Sequence, residues 1–398
     1  MKTLMILGAG IYQVPLIKKA RAMGLRTLVV SIPGPYPGFA EADKVLYLDT
    51  RDGDGILSAA RSERIDGIMT TGTDVAVRAI GRVCDALGLP GISAEAARTV
   101  TDKALMKEAF RRGGVPTADF RIVRCESEAF DAAEAIGYPV MVKACDVSGS
   151  RGISRVDGPE GIPEAWRHAA AATHTDHLIV ERMTQGVEIG LDGFVRDGRI
   201  VLCLPHEKCV GRTDRTTVPI GHRFPFEGSE ALKTAIRQAF EAIVASCGLN
   251  NCAVNADVFV TGRDTVSVIE AGGRCGATTI PELITRHTGI DYYEAMIRCA
   301  LGEPAAMQPL TAEPCVGRLL MSPVNGTITA VDTARLDALA ARGVSVSLDY
   351  GVGDHVETMK NGTDRIGQLI VSGADCDRVE ALAAEAAACL TIREDVPY

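Results

Sequence analysis

Three short stretches of this 398-residue chain carry side chains suited to phosphate and a divalent cation. In the first, Lys143 closes the run Tyr138-Pro-Val-Met-Val-Lys143-Ala, and Ser148-Gly149-Ser150-Arg151-Gly152 follows. A lysine at a strand end offers a point charge to phosphate oxygens, and a Gly/Ser loop can cover them with backbone N–H groups. No Gly-Lys-Ser/Thr occurs there, which excludes the Walker arrangement. A plain surface turn is the other reading of such a loop. The second stretch, Leu178 to Glu188, sets Glu181 and Glu188 at strand edges. In the third, Asn255-Ala-Asp257 lies on one apolar strand and Val268-Ile-Glu270-Ala-Gly272-Gly-Arg274 on the next. Alternation puts Asn255 and Asp257 on one face, and a hairpin of matching register adds Glu270 to it. Two carboxylates plus substrate phosphates hold Mg²⁺ in phosphoryl-transfer sites, and Arg274 stands a few residues away. A solvated strand face is the bland alternative, against which the apolar flanks argue.

Composition excludes several classes. Hydrophobic residues make up 46% and charged ones 23%, so wholesale disorder is out. The formal net charge of −9 argues against a broad nucleic-acid footprint. No apolar run reaches the roughly 18 residues of a membrane span, and Met1 to Ile11 reads as a first strand, not a signal peptide. A cytoplasmic protein is expected. The 12 cysteines are scattered without a Cys-x-x-Cys pair, and read as reduced thiols serving as small hydrophobes. Gly8-Ala-Gly10 resembles the start of a dinucleotide fingerprint, but Val14 stands at the third glycine position and Ser31-Ile32-Pro33 replaces the ribose-binding acid. A glycine turn that lets a helix N-terminus face a cleft is preferred to a nicotinamide site.

The elements that must position these residues alternate. Short strands at Thr3 to Leu7, Thr27 to Ser31, Lys44 to Leu48 and Gly67 to Thr70 are separated by helical patterns, which predicts a parallel sheet with helices on its faces. Ser93 looks like a helix N-cap and marks the first boundary, giving a domain over 1–93. Thr71-Gly72-Thr73-Asp74 after the fourth strand either contacts substrate or caps the next helix. A compact unit over about 116–183 follows inside a domain spanning 94–306. Asp197-Gly198 predicts one hairpin turn, and Cys252 to Val260 with Thr265 to Glu270 a second hairpin. A last domain, 307–398, shows strands near Gly317 to Ser322 and Gln368 to Ser372 and a closing helix from Asp377 to Cys389.

In this order and spacing, Lys103, Lys143, the Gly149–Gly152 loop, Glu181, Glu188, Asp257, Glu270 and Arg274 resemble the ATP-grasp enzymes over essentially the whole chain. The resemblance implies an α/β and α+β architecture: an N-terminal parallel-sheet domain, a two-subdomain ATP-grasp unit and a small α+β C-terminal domain. It implies that Lys103 and Lys143 hold ATP phosphates under a lid containing Ser148, Gly149, Ser150 and Gly152. Glu181, Arg182 and Met183 would sit at the adenine end, and Glu188 would hold the ribose. Asp257 and Glu270 would bind Mg²⁺, with Mn²⁺ as an alternative, and Arg274 would stabilise the transferred phosphate. One departure stands out: the family commonly has Asn at the position of Gly272, so a water or Asn255 would have to replace that ligand. The segment Thr217 to Pro225, Pro281-Glu-Leu and the C-terminal domain are similar to the dipeptide-forming L-amino-acid ligases. His222 is then either a substrate-pocket residue or a loop histidine. What the resemblance implies is an ATP-dependent ligase joining a small carboxylate to an amine through an acyl phosphate, with a homodimer expected. A bicarbonate-activating enzyme and a non-catalytic nucleotide sensor are the rivals. The chain shows no biotinyl or amidotransferase-like segment, and a sensor could lose Lys143, Asp257, Glu270 and Arg274.

Overall fold

The computed structural model describes residues 1–149, 151–212, 217–360 and 364–395. The chain divides into two compact units. The first comprises Met1–Leu204, Gly228–Cys275 and Tyr293–Ala306, and the second Pro205–Glu227, Gly276–Tyr292 and Met307–Tyr398.

The first unit opens with a parallel sheet. Its order is Lys44–Tyr47, Arg26–Ser31, Thr3–Leu7, Gly67–Met69, and Thr3–Leu7 is buried along its whole length. A strand buried on both faces reads as a continuous apolar run, as Thr-Leu-Met-Ile-Leu does. Gly8 leaves this strand at φ +98°, a left-handed conformation that favours glycine, and the helix Val14–Ala22 begins with Pro15 in its first turn. Gln13 locks the turn: its Oε1 accepts from Gly10 N, and its Nε2 donates to the Thr71 carbonyl at the end of the fourth strand.

An antiparallel sheet follows, in the order Phe120–Val123, Leu178–Arg182, Val140–Ala144, Ile153–Val156. The helices Glu126–Ile136 and Ile162–Ala172 supply Ala129, Ala133, Ala165 and Ala169 to the core against Val140, Val142, Leu178 and Val180. Small residues on the helices let them approach a strand face built from branched aliphatic side chains.

The rest of the unit is built on Val187–Arg196, Cys252–Val260 and Val266–Gly272, all antiparallel neighbours. The Asp197-Gly198 turn has both residues left-handed, at φ 49° and 73°, as a type I′ hairpin requires. Glu230–Cys247 is the long helix of this region, with Leu232, Ile236, Phe240 and Ile243 buried at helical spacing.

In the second unit, Thr217–Phe224, Cys315–Leu320, Gly367–Ser372 and Val344–Leu348 run antiparallel in that order, and a smaller sheet joins His355–Val356, Gly326–Val331 and Leu390–Glu394. Val316, Leu369, Val371, Val379 and Leu382 form its core. The strands at Gly326, Val344, His355 and Leu390 are absent from the sequence reading. Val344–Leu348, for example, is Val-Ser-Val-Ser-Leu with alternate residues exposed, a weak signal until the neighbouring strand is in place. Among the described residues no helix is long and apolar enough to cross a membrane.

Close packing fixes the sheet that carries the acids. A Cβ at Gly193 would lie 2.5 Å from both the Leu202 carbonyl oxygen and Phe240 Cζ. Gly193→Ala is expected to cost about 1–3 kcal/mol by overpacking, read as a lowered midpoint in urea unfolding. An unchanged midpoint would show that the Val187–Arg196 strand has slack there.

Candidate functional site

The first unit holds a cavity of about 840 Å³ beyond the C-terminal ends of its parallel strands, where open α/β sheets bind ligands. The Gly8–Gly10 turn, Lys103, Ser148, Asp257, Glu270 and Arg274 all line it. Among the described residues, Lys143, Gly149, Gly152, Glu181, Arg182, Met183 and Glu188 are not part of that lining. Ser150 lies outside the described residues.

The hairpin register brings the acids together. Asp257 stands directly across from Glu270, and Asn255 across from Gly272, with an irregularity between Asp257 and Val258. Two carboxylates on facing positions of a rigid pair are hard oxygen donors of the kind Mg²⁺ or Mn²⁺ takes. Lys103 stands beside them, its Nζ 3.4 Å from Glu270 Oε2 and donating to the Val147 carbonyl at 2.8 Å. Burial disfavours its charge, but Glu270 and Asp74 more than offset this and hold its pKa above the ordinary lysine value. Lys103 begins the helix Lys103–Gly113, and Asp102 caps that helix by accepting from Ala104 and Leu105 N–H.

Arg274 is held on more than one side. Its Nη2 donates to Asp74 Oδ2 at 2.9 Å, and its Nε lies 2.8 Å from Asp74 Oδ1, outside hydrogen-bond alignment. Its Nη1 donates to Asn255 Oδ1 at 2.9 Å, while the Asn255 amide donates to Asp192 at 2.9 Å. Both ends of Asn255 are therefore engaged in this arrangement. The helix Val77–Leu87 has no side-chain cap, so of the two readings of Asp74 capping is not what its side chain does.

A second charged group lies outside the cavity lining. Glu181 is buried and accepts from Lys143 at 2.6 Å and from Lys107. Burial alone would raise its pKa, but Lys143 and Lys107 outweigh that and keep the carboxylate ionised. Lys107 also donates to Thr117 Oγ1 at 2.5 Å. Nothing in the sequence marks Lys107, since a lysine at this point of an amphipathic helix reads as solvated; only its 2% exposure singles it out. Nearby, Arg182 is exposed and 3.5 Å from Asp119, the Met183 N–H donates to the Pro139 carbonyl at 3.1 Å, and Glu188 lies opposite Phe259. Gly149 and Gly152 are both left-handed, at φ 71° and 62°. Ala144 N donates to the Gly152 carbonyl at 2.9 Å, anchoring the loop's far end.

Asp102, Cys145 and His177 also approach one another, within 4.8 Å. Asp102 Oδ1 already serves the helix N-terminus, and burial pushes the Cys145 thiol up to about 12. A thiol that keeps its proton is a poor metal ligand.

His222 belongs to the second unit. It is buried, its ring edge-on to His206 with centroids 4.7 Å apart, and its Nδ1 has no hydrogen-bond partner. Burial, reinforced by His206, Lys208 and Arg318, drives its pKa well below 6.5. His222 is thus a neutral interior ring and not a loop histidine.

A family model described as the carbamoyl-phosphate synthase L chain, ATP binding domain, matches residues 102–307. The chain belongs to the ATP-grasp ligases. A second model, the L-amino acid ligase C-terminal domain 2, matches residues 318–395. The formate-dependent phosphoribosylglycinamide formyltransferase of Synechococcus sp. (strain CC9605) is 24% identical, over 98% of this chain and 97% of its own length. The crystal structure of phosphoribosylglycinamide synthetase from Anaerococcus prevotii superposes with a TM-score of 0.82 at 28% identity, covering 99% of this chain and 100% of that one. The L-amino acid ligase from Bacillus licheniformis gives 0.81 at 18% identity over 100% and 99%, a likeness of fold. This ATP-grasp chain is an ADP-forming carbon–nitrogen ligase of the carboxylate–amine class.

Two outcomes follow from the buried groups of this ATP-grasp ligase. Glu181→Gln leaves Lys107 without its counter-charge and is expected to cost about 3–5 kcal/mol, whereas Lys107→Met, which leaves Glu181 paired with Lys143, costs clearly less. Urea unfolding of the two variants checks the order, and a reversed order would refute this account. For His222, the unfolded chain takes up a proton near pH 6.5 while the folded protein resists it. Stability therefore falls with pH below that value, and the wild type should lose up to about 1.4 kcal/mol per pH unit relative to His222→Gln. Parallel stability–pH curves would show that His222 is not held neutral.

Proposed function

We propose that this protein joins a small carboxylic acid to an amine, both of them amino acids, at the expense of ATP. The observation that carries the proposal is the single cavity on which Lys103, Asp257, Glu270 and Arg274 converge. The match of residues 318–395 to the L-amino acid ligase domain supports amino acids as substrates.

In this reading Lys103 neutralises the polyphosphate from the start of its helix, and Lys143, anchored by Glu181, adds a second positive charge. The loop carrying Ser148, Gly149 and Gly152 covers the phosphates and excludes water. Glu181, Arg182 and Met183 line the adenine end, and Glu188 holds the ribose. Asp257 and Glu270 hold Mg²⁺ or Mn²⁺, which would supply Lewis-acid charge neutralisation when bound. An oxygen of the substrate carboxylate attacks the γ-phosphorus, the bond to the β-phosphate oxygen breaks, and ADP leaves. The amine nitrogen then attacks the acyl carbon, the carbon–oxygen bond to phosphate breaks, and the amine proton passes to solvent. Arg274 holds the charge that develops on the transferred group. Each role needs a fixed charge at a fixed place, and none needs a protein nucleophile.

A second reading rests on the full-length match to the formate-dependent formyltransferase. It keeps the chemistry and replaces the acid with formate and the amine with a phosphorylated ribosyl glycinamide. ADP release with formate instead of amino acids would select it.

The test is to trap the activated acid. With Mg-ATP, an amino acid and hydroxylamine, a hydroxamate should accumulate together with ADP and phosphate. Glu270→Ala should lower its yield at least a hundredfold while the protein stays folded by circular dichroism. AMP in place of ADP, or a hydroxamate yield unaffected by Glu270→Ala, would overturn the assignment. A nucleotide sensor would release no ADP on addition of substrates.

A further inference from the structure

Asp74 lies 200 positions before Arg274 in the chain, in the segment after the strand Gly67–Met69, yet the two share the cavity wall. Asp74 Oδ2 accepts from Nη2 at 2.9 Å, and Oδ1 lies 2.8 Å from Nε as an ion pair without hydrogen-bond alignment. Asn255 Oδ1 at 2.9 Å and the Cys275 carbonyl at 3.2 Å engage Nη1 from the other edge. A guanidinium engaged along two edges has its plane set, because its donors form a rigid fork. Burial works against the Arg274 charge, and the Asp74 carboxylate beside it reverses that effect and raises its pKa.

Gly272 decides whether this contact can form. A Cβ there would lie 3.0 Å from Asp74 Oδ1, tighter than ordinary packing, and any longer side chain would compete with the carboxylate for the same space. The departure from the usual ATP-grasp pattern and the entry of Asp74 thus occur at one point in space. We propose that Asp74 is the positioning residue of Arg274, and that the missing side chain at Gly272 is what admits it. This rests on the reading of Arg274 as the group that meets the transferred phosphate. Asp74 acts through Arg274 and takes no part in bond making. Its carboxylate comes from the parallel-sheet segment, so the catalytic arginine is oriented only when that segment is folded against the hairpin.

The experiment compares nucleotide affinities by calorimetry on the full chain. MgADP lacks the γ-phosphate, so it reports the fold of the pocket without Arg274, while MgATP reports both. Asp74→Asn keeps the shape and removes the charge. It should weaken MgATP about tenfold and leave MgADP within twofold. Gly272→Ala should weaken MgATP by a smaller factor through the same contact. The double variant should be no weaker than Asp74→Asn alone, since a contact already lost cannot be lost twice. Equal weakening of both nucleotides, tighter MgATP binding in Asp74→Asn, or additive losses would overturn the proposal, and tighter binding would mean that Asp74 shields Arg274. None of these readouts requires turnover. Variants that show the affinity pattern beside a wild type that forms no hydroxamate would sink the ligase reading and leave the positioning role intact. A wild type that binds neither nucleotide would overturn both.

Discussion

Charges removed from water in opposite-sign groups organise the first unit. An isolated buried ion costs several kcal/mol, so each cation that the site needs arrives with a carboxylate from another part of the chain. Lys103 stands against Glu270, Lys143 and Lys107 share Glu181, and Arg274 lies against Asp74. The helix Lys103–Gly113 contributes to the first two groups, since Lys103 begins it and Lys107 lies one turn further on. Turning or shifting that helix would strand several charges at once. A phosphate-binding site needs positive charge, and this arrangement keeps Lys103, Lys143 and Arg274 in place before any phosphate arrives.

Backbone pairing sets the positions of the anions. Asp257 and Glu270 face each other because the Cys252–Val260 and Val266–Gly272 strands meet in one register, and a slip by one residue would turn Glu270 to the other face. Gly193 on the neighbouring strand leaves room for Phe240, which seats the long helix against the same sheet. The acids thus stand on a packed sheet and not on loops, which suits a site where a displacement of one ångström loses much of its rate.

The second unit handles titratable groups in a different way. His206, His222, Phe224 and His287 pack ring against ring, and burial keeps His222 and His287 neutral. Neutralisation avoids the desolvation of charge, but it makes the unit sensitive to acid where the first unit uses paired ions. One chain therefore buries ionisable groups by pairing where chemistry needs charge, and by deprotonation where packing needs aromatic volume.

Local pattern was enough for much of this. Alternation of short apolar runs with helical segments identified the parallel sheet, Asp197-Gly198 marked the hairpin after Val187–Arg196, and the strand-borne acids Asp257 and Glu270 were legible because a strand's period of two is written in consecutive residues. The shared register of those acids follows from a short connection, which leaves few alternatives. Lys107, Asp74 and His222 could not be assigned the same way. A lysine on a helix, an aspartate after a strand and a histidine in a polar segment carry no local mark of burial. Their partners lie 74 and 200 positions away in the first two cases, and beside other rings on neighbouring strands in the third. Gly272 is the clearest case: in the sequence it is a missing ligand, and in three dimensions it is the opening through which Asp74 reaches Arg274. The sequence by itself determined the strongly patterned elements and the faces their side chains take, because those depend on neighbours a few residues apart, whereas weakly patterned strands such as Val344–Leu348 depend on the strand beside them. Tertiary structure decided which charges meet, because that depends on where desolvated groups from distant segments find their counter-ions.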